Sequence, residues 1–438
     1  MTTANSNITH RQVWHIAGPM IIANISIPLL GMVDTAVMGH LDLPHYLGAV
    51  AIGSMIFSFL FWGFGFLRMA TTGLVAQAFG QNDTPLSHTV LAQSIVLAII
   101  IASVLLLLKQ PISQLAFALI ETSDEVIEQA KIYFDIRIWS TPAILINYVF
   151  LGWLIGKQAS KSALLLVLVV TISNMVMDIV FVNVFNMTVN GVALASVIAE
   201  YLGLITGLYL LKRHQVTINI LTRANSKRVT LFNWQWLQLH GNIFIRTLCL
   251  IFSFAFFTTQ GAKQGDIVLA ANAILLNFIT FMAFVLDGFA NATEVISGKA
   301  VGEKNRHKLK QGLLISGFWS LMLASLFSLS YFLFGPHLIA LLTSIPEVAA
   351  TANEYLLWLI AMPLIAVWSY LFDGLFIGAT RSVEMRNTMI FATFCCFLPA
   401  WYFLQPLENN GLWLALLIFL AARGLSQSLY LPKILRLE

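Results

Sequence analysis

The sequence predicts an all-α integral membrane protein: twelve transmembrane helices in two six-helix lobes related by a parallel repeat. Three observations predict it. Of the 438 residues, 58% are hydrophobic and 10% charged, against about 25% charged in a soluble domain. Apolar runs of about 20 residues, enough to cross a hydrocarbon core of roughly 30 Å, recur along the whole length. Segments of the second half also repeat segments of the first, in order. The runs are continuous rather than alternating, which argues against a β-barrel.

The spans run approximately over 13–37, 47–77, 87–108, 130–156, 162–185 and 190–211, then 233–258, 267–297, 311–335, 351–379, 387–405 and 411–432. The longest polar connection, KRHQVTINILTRANSKR, separates spans six and seven. This divides the chain into an N-terminal lobe (1–214), a cytoplasmic linker (215–232) and a C-terminal lobe (233–438). The polar N-terminus, MTTANSNITHRQ, has no charged region leading into a cleavage site, so no removable signal peptide is expected.

The two halves align without gaps at an offset of 222 residues: 47–80 matches 269–302 at nine of 34 positions. At the same offset Tyr148, Phe150, Gly152, Ile155, Gly156 and Ser160 of YVFLGWLIGKQAS meet identical residues in YLFDGLFIGATRS (370–382). NGVALA (190–195) resembles NGLWLA (410–415). Three ordered matches at nearly half the chain length indicate duplication. Six helices per copy is an even number, so both copies start on the same side and the repeat is parallel.

Of 24 Lys and Arg, 17 fall in the termini and the even-to-odd connections, which places both termini in the cytoplasm. A net charge of +4 gives no support to nucleic-acid binding. Cys249, Cys395 and Cys396 lie in apolar segments without metal-ligand spacing and read as lipid- or core-facing thiols. No HExxH, phosphate loop or Ser/His/Asp order stands out, so ATP-driven transport and intramembrane enzyme chemistry are disfavoured.

What remains is a small set of polar residues inside apolar helices. Asp34 ends a long apolar run, where an isolated ion costs about 2.5–3.5 kcal/mol by insertion scales. Asn174 and Asp178 share a face of span five at i and i+4. Ser196 lies about two turns into span six, at similar depth. Two close carboxylates in low dielectric cannot easily both ionise, so one holds a proton unless a cation neutralises the pair. All four residues offer hard oxygens, an inventory that suits H⁺ or Na⁺, the latter on Asp34, Asn174 and Asp178. The repeat places Phe256 and Leu398 opposite the two acids, so the shared scaffold does not require them. Pro19 and Pro28 each free a carbonyl one turn back in span one, giving either a static kink or a helix with two shapes. Secondary candidates are Glu200 in span six, Arg246 in span seven, Asp287, Asn291 and Glu294 in span eight, and Asp373 in span ten. Arg246 is expected to pair with one of these acids. Arg68 and Arg423 are expected to snorkel near cytoplasmic ends.

These residues resemble the multidrug and toxic compound extrusion family, specifically its DinF-type branch, over essentially the whole length. PLLGMVDTAVMGHLD, FLRMATTGLVAQAFG, NGVALASVIAEYLG and FDGLFIGATRSVEMRN carry the resemblance. It implies two lobes around a cavity that opens alternately to each side, exporting drug-like, often cationic or amphipathic compounds against inward H⁺ or Na⁺ flow. It implies that Asp34 is the protonation site, that Asn174, Asp178 and a hydroxyl at Ser196 complete it, and that helix one bends near Pro19. Ser196 replaces a Thr of some relatives, keeping the oxygen. Other branches place coupling acids in the second lobe, which keeps Asp287 and Asp373 in play. The expected protein is therefore a proton-coupled multidrug antiporter of the bacterial cytoplasmic (inner) membrane, multi-pass, needing no cofactor and working as a monomer in the lipid bilayer. A Na⁺-coupled antiporter and a lipid-precursor flippase are the alternatives, and a non-transporting scaffold is a third class.

Overall fold

The structure is a computed structural model that describes residues 7–38, 44–120, 122–216 and 233–437. Most of the expected linker therefore lies outside the described residues. Among the described residues there is no strand. The first half carries α1 (His10–Met38), α2 (Pro44–Gly63), α3 (Phe66–Gly80), α4 (Thr84–Leu107), α5 (Lys109–Ala118), α6 (Asp124–Arg137), α7 (Thr141–Gly156), α8 (Ser160–Ile179) and α9 (Val189–Arg213). The second carries α10 (Trp234–Ala262), α11 (Asp266–Gly302), α12 (Arg306–Leu342), α13 (Pro346–Glu354), α14 (Leu356–Gly378), α15 (Ser382–Ile390), α16 (Leu398–Leu404), α17 (Glu408–Ser428) and α18 (Leu431–Leu435).

Several expected spans are compound. The second is α2 plus α3, joined where the amides of Phe64 and Gly65 bond back to the carbonyls of Phe61 and Trp62. α6 and α7 form one crossing through a 3₁₀ turn at Ile138–Ser140. Eleven described stretches are long and apolar enough to cross a membrane. The last, Ser382–Leu435, is 54 residues long. At about 1.5 Å per residue that is far more than one crossing needs. It reverses at Glu408, whose φ is +50°, and Gly411 lies so close to the Leu404 carbonyl that a Cβ would come within 2.0 Å. That reversal divides the run into the eleventh and twelfth crossings.

Glycine contacts expose the duplication at atomic level. A Cβ on Gly152 would meet the Arg68 carbonyl at 2.5 Å, and one on Gly374 the Ala290 carbonyl at 2.3 Å. Gly156 similarly faces the Thr72 carbonyl and Gly378 the Glu294 carbonyl. Each pair repeats the other 222 residues later, so α3–α7 and α11–α14 are the same close helix crossing built twice. A side chain at these positions would overlap backbone that has no room to yield. We expect Gly374→Val to cost about 1–3 kcal/mol or more, read as a lower midpoint of thermal unfolding in detergent. Gly241→Ala, with nothing within 4 Å of the new methyl, should be neutral or stabilising.

The chain forms two compact units: one of Ile22–Val75 and Asn82–Leu237, the other of Met1–Ile21, Ala76–Gln81 and Gln238–Glu438. We call them the first-lobe and second-lobe units. The core of the first-lobe unit gathers Phe57, Phe61, Phe117, Tyr133, Phe134 and Val192. The second-lobe core gathers Phe257, Phe397, Trp413 and Phe419. Within the second-lobe unit the end of α3 lies on the end of α11: Gly80 packs on the Lys299 carbonyl, and Gly302 packs reciprocally on the Gln77 carbonyl. Residues 77 and 80 are the repeat counterparts of 299 and 302, so this contact is one surface of the repeat meeting itself.

Candidate functional site

In the first-lobe unit, α8 buries one face comprising Ala163, Leu166, Thr171, Asn174 and Asp178. Thr171, Asn174 and Asp178 recur at three and four residues, which puts them on one stripe. Asp178 is 0% exposed, and the helix widens into a π-helical turn at Val180–Val184 immediately beyond it. The Asn174 amide donates to Ser196 Oγ at 3.1 Å. Spans five and six thus meet at Asn174 and Ser196. The Asn174 carbonyl oxygen is buried without a hydrogen-bond partner among the described residues.

α1 reaches the same stripe. Ser26 Oγ lies 3.4 Å from Thr171 Oγ1. α1 and α8 are separated by an even number of crossings and so run the same way. Asp34 is two turns beyond Ser26, and Asp178 is two turns beyond Thr171. Val33 and Val37, on either side of position 34, belong to the same apolar cluster as Val182, Val189 and Val192. The backbone register therefore carries position 34 to the level of Asp178. The side chain of Asp34 lies outside the described residues. α1 is helical without interruption through Pro19 and Pro28, and the boundary between the two units falls just after Pro19, between Ile21 and Ile22.

One turn beyond Ser196 on α9 is Glu200. The Asn147 amide of α7 donates to the Glu200 backbone carbonyl and to its carboxylate Oε2, both at 2.9 Å. Gly203 makes this approach possible, since a Cβ there would meet Asn147 Nδ2 at 2.8 Å. Arg137, at the end of α6, is within Coulombic reach of Glu200. Neither Asn147 nor Arg137 stood out in the sequence. A polar residue at i−3 from Phe150 on a wholly apolar helix was the available signal for Asn147.

The second-lobe candidates are arranged differently. Asp373 on α14 accepts from Arg246 of α10 through Oδ2, and from Arg423 of α17 through the same oxygen at 2.6 Å. Its Oδ1 accepts from Gln427 at 2.6 Å. The expected pairing of Arg246 with an acid is thus present, and the acid is Asp373. The expectation that Arg423 snorkels is corrected: it is 2% exposed, because α17 turns that face onto α14 and its charge finds a carboxylate there. Asn291 and Glu294 are buried on α11, and the charge of Asp287 reaches Tyr370, as do those of Asp373, Arg246 and Arg423. Among the described residues no group of three or more His, Cys, Asp or Glu could hold a metal ion.

The MatE family model matches residues 19–180 and 243–404, once in each half. The chain belongs to the MatE family. It is a multi-pass membrane transporter, not an enzyme. It is 44% identical over 423 residues, 95% of this chain and 90% of the relative, to DNA damage-inducible protein F of Escherichia coli (strain K12). It is 25% identical over 449 residues to multidrug resistance protein MdtK of Yersinia pseudotuberculosis, covering 95% of this chain and 93% of that one. In fold the transporter matches a MOP superfamily transporter from Pyrococcus furiosus with a TM-score of 0.88 and 19% identity, over 98% of this chain and 96% of that one. The two separate matches to one family model are what a duplicated six-helix lobe requires.

Proposed function

We propose that this transporter is a multidrug efflux antiporter of the bacterial inner membrane, exporting cationic or amphipathic compounds in exchange for H⁺, with Asp34 as the proton-carrying group. The observation that carries this reading is the polar stripe of the first lobe. Asn174 bonds Ser196 there, Asp178 follows one turn along the same buried face of α8, and the register of α1 carries position 34 toward that level. Asp373 argues in the same direction, because its oxygens are already engaged by Arg246, Arg423 and Gln427.

Protonation of Asp34 removes charge repulsion against Asp178 and lowers the cost of burying the stripe. α1 then changes shape about Pro19 and Pro28, where backbone hydrogen bonds are already missing. Substrate leaves outward, and the proton is released on the cytoplasmic side, where the excess of Lys and Arg places both termini. Substrate and proton are coupled because each changes the affinity for the other by the same factor. The two six-helix lobes, joined by the 215–232 linker, work as a monomer without a cofactor.

A second reading uses Na⁺ on the same oxygens. The unpartnered Asn174 carbonyl favours it, being a hard ligand already buried. Proteoliposomes separate the two. With an imposed pH gradient and no Na⁺, ethidium exchange is expected to proceed. Exchange that runs only on a Na⁺ gradient would transfer the role to Na⁺.

A further inference from the structure

The buried polar groups of the first lobe extend one turn past the stripe, to Glu200. This residue is twelfth of the 25 in α9, about 17 Å from one helix end and about 20 Å from the other. A carboxylate at that depth needs a specific partner. Asn147 clamps it with both amide hydrogens, one on the backbone carbonyl and one on Oε2. The carbonyl can only accept, so it fixes which end of the amide is nitrogen. The amide oxygen, Asn147 Oδ1, is then left buried with no hydrogen-bond partner among the described residues. On the α6 side, Arg137 NH1 is likewise a buried donor with no hydrogen-bond partner.

These two unmatched atoms are complementary to two forms of one carboxyl group. A protonated Glu200 has an O–H to donate, and Asn147 Oδ1 is an acceptor in the amide already bound to it. An ionised Glu200 accepts only, and the Arg137 guanidinium supplies the charged donor. We propose that Glu200 is a second proton-exchanging carboxylate of the first lobe, held by Asn147 in both of its forms and charge-balanced by Arg137 when it is ionised. The proton moves intact: the O–H bond of the neutral acid breaks, a water or neighbouring carboxylate takes the proton, and Glu200 is left with one negative charge. The other groups facing this position are Tyr148 on α7, with Arg68 of α3 behind it, and Asn174 and Asp178 of α8 beyond Ser196. Ser196 and Glu200 stand one turn apart on one face of α9, so a change at Glu200 acts on the helix that holds the Asn174 contact.

This inference rests on the proton-coupled reading, and one experiment separates their failures. The affinity of purified protein for tetraphenylphosphonium is measured against pH, where the logarithmic slope counts protons displaced on binding. Wild type is expected to show a slope of about two, and Asp34→Asn and Glu200→Gln each about one. Glu200→Gln keeps a donor for Asn147 Oδ1 and should fold. Two further variants guard against a purely structural effect. Asn147→Leu, which takes an N–H donor away from Oε2, and Arg137→Gln, which removes the neighbouring charge, should each move the pH midpoint of binding up by about one unit. A purely structural role predicts no shift of the midpoint in either variant. If Glu200→Gln keeps the wild-type slope while Asp34→Asn loses a proton, the inference falls and the antiporter reading stands. A wild-type slope of zero overturns the antiporter reading itself.

Discussion

Asp34→Asn is expected to abolish substrate exchange driven by an imposed pH gradient in proteoliposomes, while substrate still binds. The substitution keeps size and shape and removes the titration. An ionised carboxylate inside a span costs about 2.5–3.5 kcal/mol by insertion scales. Adding and removing one proton therefore switches an energy large enough to shift a two-state helix by about a hundredfold, since about 1.4 kcal/mol is a factor of ten. Asn is fixed in the neutral form, and α1 should be held in the shape that the protonated residue favours. The check is counterflow of ethidium with and without the gradient. Wild-type gradient-driven rates in Asp34→Asn would remove this residue from coupling, and position 34 on α1 would then be a packing position between Val33 and Val37.

The second large effect is expected in the other lobe and is of a different kind. Asp373→Asn should lower stability by about 3–5 kcal/mol, because it leaves Arg246 and Arg423 buried around an uncharged amide. Thermal unfolding in detergent measures this. Coupling-ion dependence should be unchanged in whatever fraction folds. This outcome distinguishes two uses of an acid inside a membrane. An acid that handles ions must be able to exchange its partner, whereas Asp373 has two guanidinium groups and one amide on its two oxygens. A folded, stable Asp373→Asn protein with altered ion dependence would reverse the assignment and return Asp373 to the coupling pathway. Restoring stability with an apolar triple replacement of Arg246, Asp373 and Arg423 would support the purely structural account, since well-packed apolar groups can replace a buried ion cluster.

Much of this architecture is legible in the sequence alone. Twelve crossings follow from apolar length, and the parallel repeat follows from identities at one offset. The glycines that align in sequence, Gly152 with Gly374 and Gly156 with Gly378, are among those whose missing side chains admit a neighbouring carbonyl. Sequence identity there reflects a contact that tolerates only hydrogen. The stripe of Asn174, Asp178 and Ser196 was legible for a related reason: helical periodicity puts i and i+4 on one face, and a short turn keeps two helices together.

Other features could not be read that way. Arg423 looked like a snorkelling residue, because a lone cation in an apolar segment gives no sign of which way its helix faces. Its rotation toward Asp373 is set by packing of α17 on α14, some 50 residues away in the chain. Asn147 was silent for the same reason, since its partner Glu200 is 53 residues distant and their approach depends on the open space at Gly203. Composition and periodicity are local quantities, so they establish which segments cross the membrane, how many there are and which residues share a helix face. Partner choice among buried polar groups is a matter of how helices rotate and cross. Only the packed structure decided that Asp373 is already engaged by two arginines, and that Glu200 is bound by the Asn147 amide within Coulombic reach of Arg137.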